Sequence, residues 1–79
     1  MDSTKIFEQS DLTDAYAIAI LKDVIETLTK RGYNPINQIV GYLMSGDLGY
    51  ITSFEDARGK ISSIERSKIL EVLLKEITK

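Results

Sequence analysis

The run Arg31-Gly32-Tyr33-Asn34-Pro35-Ile36-Asn37-Gln38-Ile39-Val40-Gly41-Tyr42-Leu43-Met44-Ser45-Gly46-Asp47 constrains the fold more than any other stretch, because it spells out the start, one face and the end of a helix. Gly32 is suited to close a preceding helix in the left-handed conformation that a Cβ disfavours. Asn34 is placed to cap the next helix, and Pro35 fits its first turn, where a missing N–H costs nothing. Ser45-Gly46 then stops it. Ile36, Ile39, Val40 and Leu43 recur at i, i+3, i+4 and i+7, which predicts one inward apolar stripe flanked by Asn37 and Gln38. This helix is expected to be the central packing element. Gly41 within it costs about 1 kcal/mol relative to alanine, which predicts a neighbouring helix crossing closely there.

The same period extends to either side. Residues 1–10 hold only Ile6 and Phe7 as large apolar side chains after Met1, too few to offset the entropy of ordering them, so they read as a flexible N-terminal tail ahead of a single helical domain over 11–79. Ser10 or Asp11 is expected to cap a first long helix reaching about Lys30. Its apolar face comprises Ile18, Leu21, Ile25 and Leu28, widened by Ala17, Ile20 and Val24, with Glu26 and Lys30 as an i,i+4 pair outside it. Beyond Gly46, the loop Asp47-Leu48-Gly49 must return Tyr50 and Ile51 to the core. Thr52 with Glu55, or Ser53 with Asp56, forms a capping box that predicts a helix start, with Phe54, Ala57, Ile61 and Ile64 as its buried stripe. Gly59 and Ser62-Ser63 predict a break near 62–67, with Ser63 or Ser67 capping a last helix. That helix carries Ile69, Leu70, Val72, Leu73, Leu74 and Ile77, more apolar circumference than one stripe needs. Two faces wanting cover argue for a homodimer, the alternative being a central helix within a monomer. The fold class is therefore all-α, a compact small bundle of about four to five short helices.

Composition excludes several kinds of chemistry. With no cysteine and no histidine, thiolate zinc sites, disulfides, Cys/His nucleophile pairs and imidazole bases are ruled out, and neither catalytic residues nor a metal or other cofactor is expected. An enzyme built on Asp or Glu with Tyr33 or Tyr42 has no motif behind it. Ten Lys+Arg against twelve Asp+Glu give a net charge of −2, with no global attraction for phosphate backbones. Nucleic-acid binding by a small helical module is the alternative function, and the charge argues against it. No apolar run approaches the roughly 20 residues that span a bilayer, and Met1-Asp2-Ser3-Thr4 lacks a signal-peptide pattern, which predicts a cytoplasmic protein without membrane insertion. Ser45, Gly46 and Gly49 do not make a phosphate cradle, since no Gly-Lys-Ser/Thr follows them. Arg58, Lys60, Arg66, Lys68 and Lys75 are interleaved with acids and read as a solvated, ion-paired face.

The run Gly32-Tyr33-Asn34-Pro35-Ile36-Asn37-Gln38-Ile39-Val40-Gly41-Tyr42, followed by Ser45-Gly46-Asp47 and Tyr50-Ile51, closely resembles the IreB family of small bacterial regulatory phosphoproteins, the YrzL-like proteins. The match continues through Asp56-Ala57-Arg58, Ile61, Ile64-Glu65-Arg66 and Ile69-Leu70-Glu71, and more loosely at Asp2, Thr4 and Phe7. Leu48 and Ser67 depart from the pattern, standing where relatives usually carry proline and an acidic residue. The resemblance implies an all-α body and a serine/threonine kinase substrate phosphorylated at Thr4, with a cognate phosphatase. It also implies action through an unknown downstream protein in cell-wall stress and antibiotic tolerance. Arg58 and Arg66 either pair within the body or receive a phosphate or partner, since planar guanidinium suits bidentate phosphate binding.

Overall fold

The computed structural model describes residues 9–79 and holds four α-helices: α1 (Gln9–Lys30), α2 (Pro35–Ser45), α3 (Ala57–Ser62) and α4 (Arg66–Ile77). Two 3₁₀ turns, Leu48–Tyr50 and Phe54–Asp56, connect α2 to α3. Among the described residues there is no strand, and the expected all-α bundle is what forms. The helix of α1 already includes Gln9, so Ser10 and Asp11 lie inside it rather than capping it. The remainder of the expected tail, residues 1–8, lies outside the described residues.

The hub of the bundle is α1, not α2. At 22 residues it is about 33 Å long, and α2, α3 and α4 each pack on it. Ala17, Leu21, Val24 and Leu28 form its buried stripe, joined by Ile39 and Tyr42 from α2, Ile51 from the loop, Ala57, Ile61 and Ile64 around α3, and Ile69 and Val72 from α4. This stripe is rotated from the expected one. Ile25 is exposed, Ile18 and Ile20 are only partly covered, and Thr27 is buried instead. The shift has a chemical cause. Thr27 Oγ1 lies 3.1 Å from both the Asp23 carbonyl and the Glu55 carboxylate, so its hydroxyl is satisfied inside. Lys30 accordingly faces Glu55 at 3.8 Å rather than pairing with Glu26.

The start of α3 also departs from expectation. Neither capping box closes: the Phe54 N–H donates to Thr52 Oγ1 at 3.2 Å, and Ser53 makes no side-chain cap. Glu55 and Asp56 both adopt left-handed backbone angles, with φ of 54° and 58°, and the α-helix begins only at Ala57. Glu55 is drawn to Thr27 and Lys30 instead of reaching back to Thr52. Phe54 is consequently turned out of the core, and the Arg31 guanidinium lies over its ring at 4.2 Å. The break near 62–67 forms as expected. Yet Glu65 holds the N-cap position of α4, without a side-chain bond, and Ser63 ends α3 by donating to the Lys60 carbonyl.

Candidate functional site

The residues from Gly32 to Tyr50 act as a set of backbone clamps. Gly32, at φ 84°, lets α1 end with the Gly32 N–H on the Thr29 carbonyl and the Tyr33 N–H on the Leu28 carbonyl, both at 3.0 Å. Asn34 then caps α2 by accepting the Asn37 N–H at 3.1 Å, directly before Pro35 in the first turn. At the other end Gly46, at φ 76°, turns its N–H onto the Tyr42 carbonyl at 2.7 Å. Asp47 holds the next turn by accepting the Gly49 N–H at 2.8 Å. Leu48 therefore opens a 3₁₀ turn, a position that also suits proline, and its side chain packs against the core.

Gly41 has a different neighbour from the one its position in the helix suggests. A Cβ there would run into the Tyr50 ring rather than into a crossing helix. Gln38 locks that arrangement, donating from Nε2 to the Tyr50 carbonyl at 2.9 Å. Tyr42 is the aromatic core residue of α2, 5% exposed. Of the motif side chains, Tyr33 and Asn37 stand exposed at the start of α2.

Arg58 and Arg66 hold the loop ends. Arg58 donates from Nε to the Ile51 carbonyl at 2.7 Å, and Arg66 donates from Nη1 to the Leu43 carbonyl at 3.0 Å while its guanidinium covers Gly46. Arg66 thus satisfies a carbonyl left unpaired at the end of α2. Thr4, the phosphorylation residue implied by the resemblance, lies outside the described residues.

Fixing both ends of α2 decides which of its faces meets α1, and only part of the apolar stripe read from the sequence turns inward, with Ile39 buried and Leu43 packed against the core. Ile39 and Tyr42 are buried, whereas Ile36 is 72% and Val40 52% exposed. They line an apolar groove of about 220 Å³ shared with Leu21, Ile25, Leu43 and Leu73, with no polar lining residue. From Leu73 the apolar surface continues along α4, where Leu70, Leu73, Leu74 and Ile77 recur at i, i+3, i+4 and i+7 and are all exposed. Groove and stripe make one continuous unpartnered apolar feature among the described residues. Such a patch marks a surface for another macromolecule more often than a solvated face. The excess apolar circumference of α4 was legible in the sequence; the outward turn of α2 was not.

Charge is arranged on the opposite side of α4. Asp14 of α1 receives Lys68 at 2.5 Å and Lys75 at 2.9 Å, and Lys75 also reaches Glu71 at 3.0 Å. The hydrogen bond from Lys68, then that from Lys75, holds the Asp14 carboxyl below its usual range, and Asp14 in turn raises both lysines. Lys60 is raised by its 2.6 Å contact with Asp23. Sequence proximity pointed to none of these long-range ties. No helix among the described residues is long and apolar enough to cross a membrane.

These clamps rationalise the residues through which the sequence resembles a known family. The family model described as IreB regulatory phosphoprotein matches residues 2–79, essentially the whole length, and the chain belongs to that family.

Proposed function

We propose that this regulatory phosphoprotein is a cytoplasmic substrate of a serine/threonine kinase and its cognate phosphatase, modified at Thr4. It acts by protein–protein contact in cell-wall stress and antibiotic tolerance signalling, not by chemistry of its own. The observation carrying a binding role is the apolar face of α2 and α4. Ile36, Val40 and Leu73 line a groove without polar groups, on a chain with no histidine or cysteine to support catalysis. A second copy is the simplest partner for it, because a self-complementary apolar patch closes into a two-fold dimer. The downstream protein then meets what the dimer leaves open, including Tyr33, Asn37 and the tail.

Two measurements test this reading. Mass spectrometry after incubation with the kinase is expected to place the phosphate on Thr4. Modification confined to Thr13, or found on none of Ser3, Thr4 and Thr13, removes the assignment. Sedimentation equilibrium is expected to give a dimer that Val40→Glu converts to a helical monomer, since one buried carboxylate without a partner opposes association strongly. A wild-type chain that is monomeric at all concentrations overturns the dimer.

A further inference from the structure

Between the first half of α1 and the end of α4 runs a second groove, of about 560 Å³, unlike the apolar one in character. Its floor is small and apolar, formed by Ile18, Ala19 and Val72, and its far rim carries Lys22, Lys75 and Lys79. Asp14 and Glu76 are its only acidic lining residues, so three cations face two carboxylates on a chain whose net charge is −2. The acids are already engaged. Two of the rim lysines are their partners: Lys75 meets Asp14 and Glu71, and Lys79 meets Glu76 at 3.0 Å, so Lys22 is the rim cation that makes no ion pair among the described residues.

Resting on the reading that Thr4 is phosphorylated, we infer that this α1–α4 groove is the docking site of the chain's own phosphorylated tail, with the phosphate on the lysine rim. Chain length sets the register. Thr4 precedes Gln9 by five residues, and five extended residues reach about 17 Å. The same distance along α1 corresponds to about eleven residues of helix, which falls between Ile18 and Lys22. By the same measure Ile6 and Phe7 fall opposite about residues 13–16 of α1, at the Asp14 and Ala15 end of the groove.

Charge supplies the switch. The unmodified tail sets Asp2 and Glu8 against Lys5 and has little to offer the rim. Phosphate adds about −1.5 to −2 charges and strong acceptor oxygens, and lysine ammoniums with spare N–H donors are suited to it. Phosphorylation then changes a tail available to partners into one held against the body, and it covers an α4 surface distinct from the Leu73 groove.

The test uses the full chain carrying phosphothreonine at position 4 by genetic incorporation, so it does not depend on the kinase. Backbone amide spectra of the phosphorylated and unmodified chains are expected to differ at residues 15–22 and 72–79, and a phosphorus titration is expected to put the second phosphate pKa about half a unit below its usual value near 6. The double variant Lys22→Glu with Lys79→Glu, which spares the Asp14 cluster, is expected to erase both effects while leaving the helical spectrum intact. Differences confined to residues 1–12 overturn the inference. So do differences that vanish on dilution, which place another copy's tail in the groove. A kinase that ignores Thr4 while the phosphothreonine chain still docks removes the functional reading and leaves the groove standing.

Discussion

The α1–α3 seam and the α2–α4 face are made from helices of the same apolar period, yet one is closed and the other open. In the seam, Val24 and Leu28 meet Ala57 and Ile61 with essentially no exposure, and Lys60–Asp23 and Thr27–Glu55 tie its edges. On the face, Ile36 and Val40 of α2 and Leu73 and Leu74 of α4 are all left in water. Amphipathic spacing specifies that a helix has an apolar side. What lies opposite specifies whether that side is filled within the chain.

The comparison is broken most directly by paired truncations. Ile61→Ala removes a fully buried side chain and is expected to cost about 2–5 kcal/mol. A single core of this size supplies only about 3–5 kcal/mol, so the variant should be largely unfolded in mild urea. Ile36→Ala, measured at concentrations that keep the chain monomeric, is expected to stay within about 0.5 kcal/mol of the parent. Equal losses at the two sites, read by denaturant titration, would mean that the face is not open in solution.

Gly41→Leu comes next. The new side chain must displace the Tyr50 ring, at an expected cost of about 1–3 kcal/mol. Because Tyr50 is a partly exposed side chain rather than a packed helix, a Tyr50→Ala background should relieve most of that loss. A double-mutant cycle with additive penalties would restore the expectation of a crossing helix.

These outcomes bear on how far the sequence could be read. Gly32, Asn34, Pro35 and Gly46 were legible because a cap or a left-handed turn is decided by neighbours in the chain. The break near 62–67 was legible for the same reason. The capping boxes at 52–56 misled because Glu55 has a better partner 28 residues away, in Thr27. The facing of α2 misled because Tyr42, an amphipathic aromatic, took the inward place that a count of aliphatic residues gives to Ile36 and Val40. Thr4 is identified only through the family resemblance.

A smaller effect sharpens the seam itself. Glu55 and Asp56 occupy left-handed backbone angles that a Cβ disfavours by about 1 kcal/mol, aspartate resisting them less than glutamate. Asp56→Gly is therefore expected to raise stability by up to about 1 kcal/mol, because Asp56 makes no cap bond that the change would remove. A thermal melt that falls instead would mean that the Asp56 carboxylate matters more to Lys60 than the backbone strain does.

The smallest expected effect concerns the polar edge of α4 and depends on pH. Asp14 titrates below its ordinary value of 3.8, chiefly through the Lys68 hydrogen bond and then that of Lys75, and Glu71 is lowered from 4.5 by Lys75. A carboxylate with a depressed folded pKa contributes stability above its unfolded value, and that contribution disappears as pH falls through the folded one. Lys68 and Lys75 shift in the opposite sense. Raised above 10.5, they contribute below that value and lose it as pH climbs through their folded range. The cluster should thus hold steady between about pH 5 and 10 and fail on both sides. Asp14→Asn is expected to lower stability at pH 7, by a difference that narrows as pH falls through the folded-state range of the Asp14 carboxyl. Salt at pH 7 should narrow the difference only in part, because Lys68 and Asp14 are mostly shielded from solvent while Lys75 and Glu71 are half exposed. A difference between the two chains that never narrows between pH 7 and the acid unfolding of the parent would show that Asp14 acts through packing, leaving hydrophobic contact alone to hold α4 on α1.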